Sequence, residues 1–195
     1  MITPWGYEVV SLDPIVSEAD FNAMTGYKYA NNPRLEAALA AASQAIRNEC
    51  GWHISPSVSC TAYPEGGGAV MRLPAGHVSS VTSITENGKQ LDPAAYEWRR
   101  DGLVRRVFPD KWTDKWSGLT VVYTAGYAAS AAPDLMEAVR SITEGVLAVS
   151  AGVTSESADG VTISYSINAS SIAAGLTASQ KANLAPYKVV NAHAT

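Results

Sequence analysis

The stretch LTVVYTAGYAASAAPDLMEAV, residues 119–139, decides between two classes of fold. It starts as an apolar segment typical of a strand, passes through small residues, and continues with Pro133 and Asp134, which favour the first turn of a helix. A strand leading into a helix is typical of the nucleotide-binding corner of an α/β enzyme. It is also typical of the point where an inserted β-unit ends and the chain re-enters a helical core.

The enzyme alternative lacks its sequence signals. The stretch contains one glycine and no G-x-G-x-x-G, and no G-x-S-x-G occurs in the chain. The run Gly66–Gly68 is not followed by Lys-Ser/Thr, and we predict that it is a hairpin loop. The histidines lack metal-ligand spacing and are expected to be loosely exposed in loops or the tail: His53, His77 and His193. We therefore predict a protein that is not an enzyme and holds no metal or cofactor.

Composition indicates a soluble globular protein. The chain has 195 residues, 47% of them hydrophobic, and a net charge of -4. This acidic balance argues against a protein that grips nucleic acid mainly through phosphates. The N-terminus does not resemble a signal peptide and no apolar run suits a membrane span, so we expect cytoplasm or a particle assembled there. Cys50 and Cys60 are expected to be buried free thiols.

Two helices flank a block of short strands. The first covers about 33–50, with a possible cap at Asn32 and an apolar stripe; the second begins at Pro133. Between them, Asn87-Gly88 and Asp101-Gly102 predict hairpins. In the second hairpin, the predicted register places Trp98 opposite Arg105 and Glu97 opposite Arg106, as a cation–π pair and an ion pair.

The predicted fold class is α+β: a small helical bundle with an inserted β-hairpin unit and an extended C-terminal arm. Residues 1–30 form an irregular lead with one short helix, and residues 31–152 form the helical core with a β-rich insert at about 55–124. Residues 153–195 form the arm, which carries an Asp159-Gly160 turn and a short helix with a Thr177…Gln180 capping box.

Four segments, in this order, resemble the head–tail connector (adaptor or head-completion) proteins of long-tailed double-stranded-DNA phages. They are LEAALAAASQAIRNECGWHI; LPAGHVSSVTSITENGKQLDPAAY; DGLVRRV followed by LTVVYTAGYAASAAPDLMEAV; and SESADGVTISYS followed by GLTASQKANLAPYK. Together they cover roughly residues 33–188. The resemblance does not extend to residues 1–30 or to the tail after Tyr187, apart from Lys188, where the family usually has a basic residue.

The resemblance implies a virion structural protein that forms a ring, a dodecamer like the portal, and extends the DNA channel towards the tail. Its partners would be further copies, the portal protein, the next connector or tail component (a stopper or tail terminator) and double-stranded DNA that passes without sequence-specific binding. No membrane is involved, and assembly would take place in the host cytoplasm. The alternative is a β-rich carbohydrate- or protein-binding module of a phage tail or cell surface. That function needs clustered exposed aromatic residues, and only Trp112 and Trp116 are close in sequence.

Three groups of residues are predicted to make contacts. The arm is expected to bind the portal, because it has too few large apolar residues to form a core and would become ordered against a partner. The alanine-rich second face of the first helix suits a neighbouring subunit. The basic hairpin suits an acidic partner or DNA, or alternatively protects a sheet edge. The residues are Tyr165, Leu184, Tyr187 and Lys188 in the arm; Ala37 and Ala41 in the helix; and Arg99, Arg100, Arg105 and Arg106 in the hairpin.

Overall fold

The computed structural model describes residues 1–128, 131–148, 155–158, 161–164 and 176–189. The chain divides into two compact units. The β-unit contains Met1–Leu12, Cys50–Ala128 and the chain from Tyr187, and the helical unit contains Asp13–Glu49 and Ala129–Pro186. Over the described ranges, none of the helices has the length and apolar character needed to cross a membrane.

The elements of the described chain alternate between helices and short strands. In chain order they are β1 (Tyr7–Val9), α1 (Glu18–Met24), α2 (Leu35–Cys50), β2 (Val58–Ala62), β3 (Val70–Arg72), β4 (Val78–Glu86), β5 (Lys89–Gln90), β6 (Tyr96–Trp98), β7 (Leu103–Arg106), β8 (Leu119–Ala125), α3 (Pro133–Ala148), β9 (Ser155–Ala158), β10 (Val161–Ser164) and α4 (Ala178–Leu184). The predicted α+β class is confirmed.

The β-unit is built on a five-stranded sheet in the order β1-β2-β8-β4-β5. Strand β8 lies at its centre and pairs antiparallel with both β2 and β4. Every second residue of β8 is buried, the pattern of a strand with one face on a core. Because β8 pairs antiparallel with both of its neighbours, the 119–139 stretch is not a βαβ corner; it consists of the central strand of this sheet followed in sequence by α3.

A second sheet in the β-unit has three strands in the order β3-β7-β6. The prediction that Gly66–Gly68 is a hairpin loop is therefore wrong, because β2 and β3 belong to different sheets. Both edges of β2 are occupied, by β1 and by β8, which leaves no edge for β3. The loop instead packs against the chain at Trp112 and Thr113: a Cβ on Gly66 would lie 2.0 Å from the Thr113 carbonyl oxygen.

The hairpin at Asn87-Gly88 is confirmed, since β4 and β5 pair through Glu86 and Lys89 on either side of it. The hairpin between β6 and β7 exists, but its predicted register is wrong by one residue. Glu97 lies opposite Arg105, and Trp98 lies opposite Val104.

The cause of this shift is the length of the β6–β7 loop. Arg99 and Leu103 close it, with the Arg99 N–H donating to the Leu103 carbonyl at 2.8 Å. The loop therefore has three residues, and its last, Gly102, has a φ of +83°. This left-handed conformation is typical of three-residue hairpins and suits glycine.

The helical unit buries the predicted apolar stripes. In α2 the buried residues include Leu35, Leu39, Ala42 and Ile46, and in α3 they include Leu135, Val139 and Ile142, whereas Val146 is half-buried. The Thr177…Gln180 capping box opens α4 as predicted. Strands β9 and β10 pair antiparallel, but the predicted Asp159-Gly160 turn between them lies outside the described residues.

Candidate interaction surfaces

His53 forms the arrangement in the β-unit that most resembles a catalytic pair. Its Nε2–H donates to the Ala125 carbonyl at 3.0 Å, which leaves Nδ1 to accept from the Tyr7 hydroxyl at 2.8 Å. The same hydroxyl accepts from the His53 backbone N–H at 2.9 Å. Both side chains are completely buried, so the expectation of an exposed histidine is wrong for His53. Because its ring nitrogens are both satisfied inside the unit, we assign it a structural role, connecting β1 to the end of β8.

The cysteines of the described chain are enclosed, and its acidic groups are not clustered with them. Cys50 and Cys60 are buried thiols that form no disulfide bond, as predicted. Burial raises the pKa of the Cys60 thiol to about 12, so it stays protonated and unreactive near neutral pH. Over the ranges that the structure describes, no three His, Cys, Asp or Glu side chains are grouped as a metal site would require.

All four motif segments meet in the β-unit around Tyr127 and Tyr187. The Trp52 Nε1–H donates to the Tyr187 carbonyl at 2.6 Å, and the Val189 N–H donates to the Cys50 carbonyl at 3.1 Å. The ring of Tyr187 packs edge-on against that of Tyr127, with centroids 5.4 Å apart. His77 stacks on the same Tyr127 at 4.3 Å. We call these four aromatic residues, Trp52, His77, Tyr127 and Tyr187, the aromatic junction.

Gly126 explains why β8 ends at Ala-Gly-Tyr. Its φ is +110°, and a Cβ here would lie 2.4 Å from the Pro56 carbonyl oxygen and 2.9 Å from Nε2 of His53. Only glycine combines this backbone conformation with so close an approach. The next residue, Tyr127, then donates its N–H to the Ile54 carbonyl at 2.7 Å, which directs its ring into the aromatic junction.

The predicted arm residues have different environments. Leu184 is 1% exposed within the helical unit, and Tyr187 is half-buried in the aromatic junction. Lys188 is exposed, whereas Tyr165 lies outside the described residues. The two large side chains expected to face a partner's groove are therefore packed against their own chain.

The alanine face of α2, which was predicted to contact a neighbouring subunit, is partly accessible to solvent. Ala37 is exposed and Ala41 is half-buried, while Ala38 and Ala42 belong to the buried side of the same helix.

The basic hairpin separates into exposed and enclosed arginines. Arg99 pairs with Asp101 at 2.9 Å, Arg105 pairs with Glu97, and Arg100 is exposed and makes no ion pair within the described chain.

Arg106, the fourth member of the predicted group, is enclosed. Its side chain is 12% exposed and lies 3.3 Å from the Glu86 carboxylate and 3.5 Å from that of Asp110. Its guanidinium also lies 5.3 Å from the centre of the Trp112 ring, so this cation–π contact joins Arg106 to Trp112 and is not the predicted pair of Arg105 and Trp98.

The β-unit has an exposed aromatic loop, residues 107–118, that was not predicted from the sequence. Phe108 is 93% exposed and Trp116 is 94% exposed, whereas Trp112 between them is buried and donates its Nε1–H to the Val104 carbonyl at 3.3 Å. The available signal was an aromatic residue at every fourth position, 108, 112 and 116, among charged residues. That spacing does not indicate which of the three rings is inside.

The β-unit also carries an open groove of about 580 Å³. Its walls come from the segment before β1, the segment after β2, and strands β3 and β7. Residues that line it include Trp5, Tyr63, Glu65, Val70, Arg72 and Leu103.

Comparison with known proteins assigns the chain to a family. The family described as head completion protein matches residues 14–178, most of the chain. The chain belongs to the head completion protein family. It is a virion structural protein of the head–tail connection, as the sequence resemblance predicted. No curated protein matches it.

Two solved structures share the fold of this head completion protein. The neck of a native GTA particle, computed with C12 symmetry, has a chain with a TM-score of 0.58 and 17% identity, covering 85% of this chain and 91% of its own. The neck of an empty GTA particle, computed with C6 symmetry, has a chain with a TM-score of 0.54 and 21% identity, covering 73% and 84%. At these identities the likeness concerns the fold.

Proposed function

We propose that this protein is the adaptor of the head–tail connection. Copies form a ring under the portal, extend the DNA channel towards the tail, and offer a lower face to the next connector or tail component. The observation that carries the proposal is the fold shared with a neck chain whose particle was computed with C12 symmetry, in a chain of the head completion family. That symmetry supports the proposal that the ring is a dodecamer.

The charge of the chain supports a passage for DNA and not a DNA-binding site. Net charge is -4, so a channel wall made of this protein would not hold the phosphates. The exposed Arg99 and Arg105 are each paired with a carboxylate, which reduces their attraction for DNA. DNA would pass through the ring without sequence-specific contacts.

The portal contact is proposed for the arm, residues 153–195. Lys188 is an exposed basic residue of the arm and lies next to the anchored Tyr187, whereas the other described one, Lys181, lies 3.7 Å from the Glu49 carboxylate. We propose that Leu184 and Tyr187 hold the segment in place, that Lys188 contacts the portal, and that Tyr165 belongs to the same surface. Because this segment would already be held by its own chain, it would lose less conformational entropy when it binds the portal.

The contact between subunits is proposed to include Ala37 and Ala41, where small side chains allow another helix to approach. Ala41→Glu is expected to reduce ring formation while circular dichroism keeps the helical signal. A variant that loses its helical signal would assign this face to the interior of the chain.

The function is tested by co-sedimentation of the full chain with purified portal rings, followed by electron microscopy of the complexes. Rings of the protein on one end of the portal are expected. Lys188→Glu should weaken binding, and Lys89→Glu, at the exposed β4–β5 turn, is the matched control. Absence of rings on the portal would reject the adaptor function, and equal binding by both variants would reject the role of Lys188.

A further inference from the structure

We infer that the aromatic loop of one subunit, residues 107–118, docks into the groove of a neighbouring copy. This inference rests on the proposed ring, and adds to it the surface through which neighbouring β-units meet. It concerns Phe108 and Trp116 on the loop, and the groove bordered by Tyr63, Glu65 and Val70.

The loop is fixed to the rest of the β-unit at its buried ring, through the backbone of Trp112 and Thr113. The Thr113 N–H donates to the Glu86 carboxylate at 2.7 Å, and the Trp112 N–H donates to the Gly68 carbonyl at 2.8 Å. The Gly67 N–H in turn donates to the Trp112 carbonyl at 3.1 Å. A loop held in this way presents its exposed rings with little conformational entropy left to lose on binding.

The exposed rings provide much of the area that a stable contact needs. Large aromatic side chains bury roughly 150–250 Å² each, so Phe108 and Trp116 together would supply roughly 300–500 Å². A standard interface buries about 800 Å² on each partner. Two nearly bare aromatic rings on one rigid loop are therefore typical of an association surface rather than of a monomer's surface.

The groove complements the loop in shape and charge. It is concave, about 580 Å³, and its border includes Tyr63 and Val70, each 49% exposed. Glu65 is exposed at the same border, whereas Lys111 and Lys115 are exposed on the loop. None of these three charged side chains makes an ion pair within the described residues, so each has its charge available for the neighbour.

A second copy is the occupant that these features favour, because both surfaces lie on the same unit and differ from each other. Each copy then gives its loop to one neighbour and receives the loop of the other. Such a head-to-tail contact generates a ring when its rotation closes.

The experiment compares two full-length variants by sedimentation velocity in the presence of portal rings. The loop variant is Phe108→Ala with Trp116→Ala, and the groove variant is Val70→Arg. Both are expected to lose ring formation and to keep the wild-type circular dichroism spectrum, since the replaced side chains are largely exposed. Tyr27→Ala, an exposed aromatic residue in the helical unit, is the control that should form rings.

Mixing the two variants without portal tests the pairing directly. The groove variant keeps its loop and the loop variant keeps its groove, so one intact contact remains and an equimolar mixture should give dimers.

Disulfide formation gives an independent measurement: a chain carrying both Phe108→Cys and Val70→Cys should give a ladder of linked copies in non-reducing gels. The native Cys50 and Cys60 are buried and do not contribute.

The outcomes separate the two proposals. Rings that persist in both variants, a mixture that stays monomeric, or a cysteine chain without a ladder would overturn the loop-to-groove contact and leave the adaptor function standing. A loop variant that still forms rings but no longer joins a portal or tail component would also overturn it, by assigning the loop to that partner. A wild-type chain that forms no ring on the portal would reject the adaptor function and this contact together.

Discussion

The aromatic junction and the aromatic loop belong to the same β-unit, yet they use aromatic residues in opposite ways. In the junction, Trp52, Tyr127 and Tyr187 contact one another or the backbone, and hold the end of the described chain against β8. In the loop, Phe108 and Trp116 are almost completely exposed. The type of residue therefore does not decide its function in this unit. A ring whose area is already buried contributes to folding, and a bare ring on a fixed loop is available to another molecule.

Replacement of one tryptophan in each group by alanine should show the largest difference between them. Trp52→Ala removes a fully buried ring and its hydrogen bond to Tyr187, so the free energy of unfolding should fall by about 3–5 kcal/mol. Trp116→Ala removes an exposed ring, so the change should stay within about 0.5 kcal/mol. Urea titrations of both variants give the two values. A loss of more than about 1 kcal/mol for Trp116→Ala would mean that its ring is packed in the folded protein.

Gly126 tests whether the junction depends on the close approach at the end of β8. Gly126→Ala would force a Cβ against Pro56 and His53, and should cost about 3 kcal/mol from overlap and backbone strain. The matched control is Gly145→Ala in α3, where a Cβ meets nothing within 4 Å. That change should stabilise the helix by about 1 kcal/mol. Thermal unfolding monitored by circular dichroism distinguishes them, and a neutral Gly126→Ala would contradict the geometry.

Substitutions of Arg106 and Arg105 test whether the contacts of Arg106 with Glu86 and Trp112 stabilise the aromatic loop. Arg106→Ala removes the ion-pair partner of the enclosed Glu86 carboxylate and uncovers the Trp112 ring, so the free energy of unfolding should fall by about 2–3 kcal/mol. Arg105→Ala breaks an exposed pair with Glu97, so its effect should stay below about 1 kcal/mol. Chemical denaturation measures both. Equal effects would show that the enclosure of Arg106 does not stabilise the loop.

The local elements were predictable because their signals are local. The α2 and α3 stripes, the capping box of α4 and the Asn87-Gly88 hairpin depend on residues a few positions apart, and the structure contains all of them. The partner of each strand depends on distant residues. The assignment of β2 and β3 to different sheets, and the pairing of β1 with β2, therefore required the structure.

The contact residues were harder to predict, for the same physical reason. Leu184 and Trp112 are buried because segments distant in sequence cover them. Phe108 and Trp116 are exposed because no other segment of the described chain covers them. The sequence identified the family through the order of its motifs. It did not reveal that Cys50-Gly51-Trp52, the Tyr127 segment and Tyr187 meet at one place.

His77 gives the smallest effect and links the junction to pH. Partial burial lowers the pKa of His77, and the nearby positive charge of Arg100 lowers it further. The folded state thus prefers the neutral ring. The contribution of His77 to the free energy of unfolding is therefore fully present above the unfolded pKa of about 6.5, and it is lost as pH falls through the lower folded pKa. Because His77 stacks on Tyr127, acidification should loosen Tyr187 and speed hydrogen exchange of the Val189 amide, which donates to Cys50. NMR titration of the His77 ring should give a pKa below 6.5, and Arg100→Gln should move it upwards. A pKa at or above 6.5, or a hydrogen-exchange rate at Val189 that does not change when His77 is protonated, would show that His77 is not coupled to the junction.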